Sequence, residues 1–150
     1  MNKNIIQITD LKDMLNKTGE IYGDRPGYKI KVAEGKYNTY THKEIRDMIN
    51  YLGTALISMG LKGKRIAVIG ENRYEWELAY MSVVCGTGIV VPLDKSLPAN
   101  ELEELIERSE VEATFYSGKY EEIIEKIKYS DKNKLKHLIS MDLEHNIEGV

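Results

Sequence analysis

The chain has 150 residues, 42% hydrophobic and 30% charged, with a formal net charge of −3. That length suits one domain with a substantial core, and the mildly acidic balance gives no electrostatic basis for nucleic acid or an anionic membrane as partner. The single cysteine, Cys85, excludes an internal disulfide framework, no apolar run approaches the roughly 18–20 residues of a membrane span, and residues 1–7 lack the apolar region of a signal peptide, so the expected compartment is the cytoplasm.

The first helix is predicted from about Asp10 to Tyr22, because Leu11, Met14, Leu15, Thr18, Ile21 and Tyr22 recur at helical spacing behind a capping Thr9 or Asp10. Gly23-Asp24-Arg25-Pro26-Gly27 ends it. Two short alternating segments, residues 28–33 and 36–40, flank Glu34-Gly35 and read as a tight hairpin. Thr41-His42-Lys43-Glu44 is a capping box: the threonine oxygen accepts a first-turn N–H while the glutamate reaches back. The helix behind it carries Ile45, Met48, Ile49, Leu52, Leu56 and Met59 on one stripe, and Gly60-Leu61 supplies a Schellman ending.

Residues 64–98 form the centre of the pattern. Ile66-Ala67-Val68-Ile69 is a continuous apolar run between turn signals, as expected of a strand buried on both faces of a parallel sheet. Asn72 is placed to cap a helix with Glu75 three residues on, and Trp76, Ala79, Tyr80, Val83 and Val84 form its inward stripe until Gly86-Thr87-Gly88. A second apolar run, Ile89-Val90-Val91, extends to Leu93. The unit is a strand–helix–strand crossover. Pro98 opens a further helix with Leu102, Leu105 and Ile106 inward. Residues 111–117 read as a strand, 120–129 as a helix through Ile123, Ile124 and Ile127, and 137–141 as a last strand. The expected fold is therefore α/β: a three-layer α/β/α arrangement on a mainly parallel sheet, with a small N-terminal β-hairpin.

Ligands of such sheets bind beyond the carboxyl ends of the strands, which directs attention to Gly70-Glu71-Asn72 and Asp94-Lys95-Ser96. Gly70 is followed by Glu71-Asn72-Arg73 without the further glycines a dinucleotide fingerprint needs, and Glu71 would repel phosphate. A Gly-x4-Gly-Lys-Ser/Thr loop is absent from the 150 residues. Asp94 is positioned for acid–base work or, more simply, to brace the loop before Pro98. Lys95 could meet a ligand phosphate or only solvent, and the same choice holds for Arg73 and Glu71. Cys85, among apolar residues with no histidine near in sequence, reads as a packed small hydrophobe. His42, His137 and His145 share no metal-ligand spacing, so no metal site is expected. Glu101, Glu103, Glu104, Glu107, Glu110 and Glu112 read as a solvated helix face running into a strand edge. No catalytic residue emerges from these positions alone.

Three segments carry a resemblance. Thr41-His42-Lys43-Glu44-Ile45 resembles the Thr-Tyr-x-Glu-Leu segment of the adenylate-forming (AMP-dependent) synthetase and ligase superfamily, with histidine where most members have tyrosine. Residues 90–102, Val-Val-Pro-Leu-Asp-Lys-Ser-Leu-Pro-Ala-Asn-Glu-Leu, resemble its second signature, and Gly70-Glu71-Asn72-Arg73-Tyr74-Glu75-Trp76 is most similar to bacterial long-chain fatty acyl-CoA synthetases. The resemblance implies a parent enzyme that joins a fatty acid to AMP from ATP, releasing pyrophosphate, and passes the acyl group to CoA with release of AMP, with Mg²⁺ assisting the first step. It also implies that residues 1–150 are a truncated N-terminal α/β subdomain of the large domain, inactive alone, whose partner is the remainder of the ligase chain. The Ser/Thr/Gly-rich ATP loop and the C-terminal-domain lysine of the family do not occur in these residues, so ATP, Mg²⁺ and CoA belong to the parent. Lys95 is the nearest basic residue to where the family's corresponding loop approaches the CoA nucleotide, which makes it the candidate contact to a CoA phosphate; no family motif places lysine there. The alternatives are a stand-alone binding or regulatory module on the same scaffold, able to dimerise through an exposed domain face, and a flavodoxin-like nucleotide domain.

Overall fold

The computed structural model describes residues 6–130 and 132–142. Two compact units divide after Tyr51. In the first, helix α1 (Leu11–Tyr22) starts at Asp10, whose carboxylate accepts the Asp13 N–H at 2.8 Å. Strands β1 (Pro26–Ala33) and β2 (Lys36–Thr41) pair antiparallel, with Tyr28 opposite Tyr40 and Lys31 opposite Tyr37. The capping box forms as its spacing predicts. The Glu44 N–H donates to Thr41 Oγ1 at 3.2 Å while the Thr41 N–H donates to Glu44 Oε2 at 2.7 Å, which starts α2 (His42–Ser58).

The second unit opens on the end of α2. Gly60 and Leu61 close it with a Schellman pair, their N–H groups donating to Ile57 O and Leu56 O. The helix stops at Ser58, one residue before Met59, which is exposed instead of belonging to the apolar stripe. A four-stranded parallel sheet follows, in the order β4-β3-β5-β6. Its strands are β3 (Arg65–Ile69), β4 (Ile89–Pro92), β5 (Ala113–Tyr116) and β6 (His137–Ser140). Helices α3 (Tyr74–Ser82), α4 (Ala99–Arg108) and α5 (Glu121–Lys128) connect them.

The sheet divides the core in two. Ala67 and Ile69 of β3 face Leu102 and Ile106 of α4 and Ile124 and Ile127 of α5. Ile66 and Val68 face Leu56 of α2 and Ala79 and Val83 of α3. Residues 66–69 have no exposed area, so the continuous apolar run is indeed a strand covered on both faces. Together with the hairpin, this is the α/β/α architecture read from the sequence. Among the described residues no helix is long and apolar enough to cross a membrane.

Several local readings are corrected. Asn72 does not cap α3. Arg73 occupies the cap position in an extended conformation without a side-chain cap bond, because its guanidinium is drawn to Glu75 and Asp142. The α3 pattern continues into a π turn, Val83–Thr87, in which Gly86 takes φ of 126° and Val84 is only half-buried; the buried Ser82 and Thr87 take the inward places. The Thr87 hydroxyl settles this turn by donating to Ser82 O at 2.8 Å. Pro98 precedes α4 as its cap residue instead of sitting in its first turn. Strands β5 and β6 are shorter than 111–117 and 137–141, although Val111 and Met141 remain buried beside them. Glu110 and Glu112 are not simply solvated. Glu110 bonds Arg65 and Lys134, and Glu112 pairs with Lys64 and Lys136, tying together the starts of β3, β5 and β6. Glu110 does so from a left-handed backbone, φ 52°, as the residue closing α4.

The start of β4 lies hard against the start of β3. The Ile89 N–H donates to Lys64 O at 2.9 Å, and a Cβ added to Gly88 would stand 2.3 Å from that same oxygen. Backbone cannot retreat as a flexible side chain can. Gly88→Ala is therefore expected to cost about 3 kcal/mol, read as a lower urea midpoint with unchanged slope; a variant as stable as the parent would show that the two strand starts can separate freely.

Candidate functional site

Parallel strands present their carboxyl ends on one side of the sheet. After β3 the chain turns into α3 on one face, and after β5 it turns into α5 on the other. A crevice opens where neighbouring connections diverge in this way. Here it is a cleft of about 310 Å³ lined by Glu71, Arg73, Ser117, Gly118, Lys119 and Asp142. Gly70 makes the closeness of its walls achievable: a Cβ there would meet Met141 Cε at 2.7 Å and Ser117 Cβ at 3.4 Å.

The charges in this cleft are matched to one another. Lys119 Nζ pairs with Glu71 Oε1 at 2.7 Å. Arg73 donates to Glu75 Oε2 at 2.6 Å and to Asp142 Oδ1, while the Gly118 N–H donates to Asp142 Oδ2. Lys119, then the neighbouring Ser117 hydroxyl, hold the Glu71 carboxyl down to about 2. Ser117 Oγ is buried and completes no hydrogen bond of ordinary geometry, so its influence on Glu71 is that of a nearby dipole. The Gly118 N–H and Arg73 keep Asp142 below its usual range as well. Glu75 and Asp142 raise Arg73, and Glu71 raises Lys119.

Both carboxylates are thus ionised at neutral pH and both cations are committed. Neither acid can donate a proton near pH 7, so neither serves as a general acid there. The cleft does not fit a nucleotide phosphate: the donors already hold internal carboxylates, and Glu71 and Asp142 would repel phosphate. Among the described residues no group of three or more His, Cys, Asp or Glu could hold a metal. What the arrangement does is clasp the loop ends after β3, β5 and β6.

Of the two places the sequence singled out, Glu71 and Arg73 enter this cleft; Asn72 does not line it. Asp94, Lys95 and Ser96 follow the edge strand β4 and stand apart from it. Asp94 Oδ1 accepts the Ser96 N–H at 2.8 Å, and Asp94 O accepts the Leu97 N–H at 3.3 Å, which is the loop-bracing role. Lys95 is exposed, and its carbonyl accepts the Tyr120 hydroxyl at 3.2 Å. Cys85 is buried, consistent with a packed small residue; His145 lies outside the described residues. Sequence reasoning missed Ser117, Gly118, Lys119 and Asp142. Applying the strand-end rule to β5 and β6 as well as to β3 and β4 would have found them.

The family model for "AMP-binding enzyme" matches residues 17–148. The chain belongs to the AMP-binding enzyme family. Fatty acyl-CoA synthetase A of Dictyostelium discoideum is 32% identical over 120 residues, 77% of this chain and 18% of that protein. Long chain acyl-CoA synthetase 1 of Arabidopsis thaliana is 29% identical over 114 residues, 73% of this chain and 17% of that protein. The chain thus spans less than a fifth of either relative. The N-terminal domain of FACL13 from Mycobacterium tuberculosis superposes with a TM-score of 0.77 over 89% of this chain and 33% of its own; at 18% identity this likeness concerns the fold. In this AMP-binding family member, the ion pairs of the cleft join the loop ends after β3, β5 and β6.

The clasp has a pH signature. Lys119 and the Ser117 hydroxyl lower the Glu71 carboxyl from the ordinary glutamate value of 4.5 to about 2. A lowered folded value means that its stabilisation is fully present above the unfolded value and disappears as pH falls through the interval between the two. Glu71→Gln is expected to flatten the decline of urea midpoints between about pH 5 and pH 2.5; an acid decline as steep as the parent's would show that Glu71 is not held by the clasp.

Proposed function

We propose that this chain forms the N-terminal α/β part of the large domain of an AMP-forming acyl-CoA synthetase, which converts a fatty acid, ATP and CoA to acyl-CoA, AMP and pyrophosphate. The observation that carries this reading is the family match across residues 17–148, together with the two signature segments at 41–45 and 90–102. In this reading the 150 residues supply scaffold: a sheet, its covering helices and the clasp at the strand ends. Adenylation and thioester formation require groups contributed by the rest of the ligase chain, which is the natural partner. Placement in the cytoplasm accords with a single cysteine and with the absence of a membrane-crossing helix among the described residues.

ATP–pyrophosphate exchange with a panel of fatty acids tests the division of labour. The 150-residue chain is expected to remain at background with every acid. Exchange above background would mean that residues 1–150 contain an adenylation site, and would overturn the scaffold reading.

Within the same proposal, Lys95 is the contact to a CoA phosphate. It is exposed on the loop after β4, and the Asx turn at Asp94 fixes the backbone beneath it. Titrating CoA into isotope-labelled chain should shift the Lys95 and Ser96 amides. Lys95→Ala should weaken that binding about two- to fivefold, the size of one exposed charge pair. Identical titrations of parent and variant would remove Lys95 from the site.

A further inference from the structure

Tyr120 belongs to the connection after β5, yet its hydroxyl reaches the loop after β4. The residue closes the short 3₁₀ turn Gly118–Tyr120, where its N–H donates to Ser117 O at 2.8 Å. Its side chain packs against the apolar cluster that holds Leu93, Leu102 and Ile124, so the ring stands on the core. The hydroxyl at its tip donates to Lys95 O at 3.2 Å, across 25 positions of sequence. The loop that receives this bond is pinned at both ends. Leu93 is buried and its N–H donates to Val68 O, while Leu97 packs on the same cluster as Tyr120. Between them Asp94, Lys95 and Ser96 are exposed. Asp94 closes the loop on itself by accepting the Ser96 and Leu97 N–H groups. Those bonds are local: they shape the turn without fixing it against a neighbouring connection. The Tyr120 hydroxyl supplies that second hold.

We propose that Tyr120 is a positioning residue for the phosphate contact at Lys95. It tethers the Lys95 carbonyl to the connection between β5 and α5, so that the lysine meets a CoA phosphate from a backbone already held in place. A lysine side chain is long and loses rotamer freedom when its amine is engaged, and a loop ordered beforehand spares the further loss of backbone freedom. The residue type suits the task. Phenylalanine would fill the same place against the core and leave the loop untied. The inference rests on the reading of Lys95 as the CoA phosphate contact, and it gives Tyr120 no contact with CoA itself.

Backbone relaxation and CoA titration of the isotope-labelled chain test it in four forms: parent, Lys95→Ala, Tyr120→Phe and the double variant. Tyr120→Phe keeps the ring and removes the bond. It should lower the amide order parameters of Lys95 and Ser96 below the roughly 0.85 of rigid backbone. It should also weaken CoA binding about twofold, the low end of what one neutral hydrogen bond contributes. Added to Lys95→Ala it should cause no further loss, because the tether acts through that lysine. If the chain binds no CoA, or if Lys95→Ala binds it as the parent does, the Lys95 reading falls and the positioning role falls with it. If Lys95→Ala weakens binding and Tyr120→Phe does not, or does so without loosening the loop, the positioning role alone falls. It falls as well if Tyr120→Phe weakens binding equally in the parent and in the Lys95→Ala chain, since the tyrosine would then act independently of the lysine.

Discussion

Residues 66–69 lie between two apolar layers with none of their surface exposed. That double burial is the constraint on which the second unit depends. Side chains alternate across a strand, so Ala67 and Ile69 need cover from α4 and α5 while Ile66 and Val68 need it from α2 and α3. Neither layer alone would hide the strand. Burying four consecutive aliphatic or small side chains also leaves no polar position between 66 and 69; the only polar residue of β3 is Arg65 at its start.

The loops at the two ends use charge in different ways. At the amino ends, Glu110 and Glu112 bridge Lys64, Arg65, Lys134 and Lys136, with most of the partners well exposed. Such pairs contribute little individually, but they connect three strand starts that no turn joins directly. At the carboxyl ends the Arg73 pairs are partly sheltered while Lys119 is well exposed, and the backbone N–H of Gly118 takes part, which depresses the carboxyl of Asp142. Both sets of pairs therefore fasten strand ends.

Much of the fold was legible because its signals are short-range. The capping box at Thr41–Glu44, the Schellman ending at Gly60-Leu61 and the apolar run at 66–69 each depend on residues within a few positions of one another. The misses arose where a distant partner decided the outcome. Arg73 displaced Asn72 at the start of α3 while holding Asp142, 69 positions away. The π turn after Ser82 formed where periodicity predicted an orderly stop, and Thr87 sealed it through its hydroxyl. The cleft was half legible for the same reason: Glu71 and Arg73 follow a recognisable strand, whereas Ser117, Lys119 and Asp142 acquire meaning only once β5 and β6 lie alongside it.

Glu110 shows how a fold limits substitution without any appeal to activity. A left-handed backbone at this position disfavours a side chain by about 1–2 kcal/mol, and glycine or asparagine would sit there more comfortably. Glycine, however, has no carboxylate, and asparagine carries a shorter neutral amide. Glutamate is long enough to reach Arg65 and Lys134 together, at 2.8 and 2.6 Å. The residue best suited to the turn is thus the one least able to align the strands on either side of it, and at position 110 reach outweighs conformational ease.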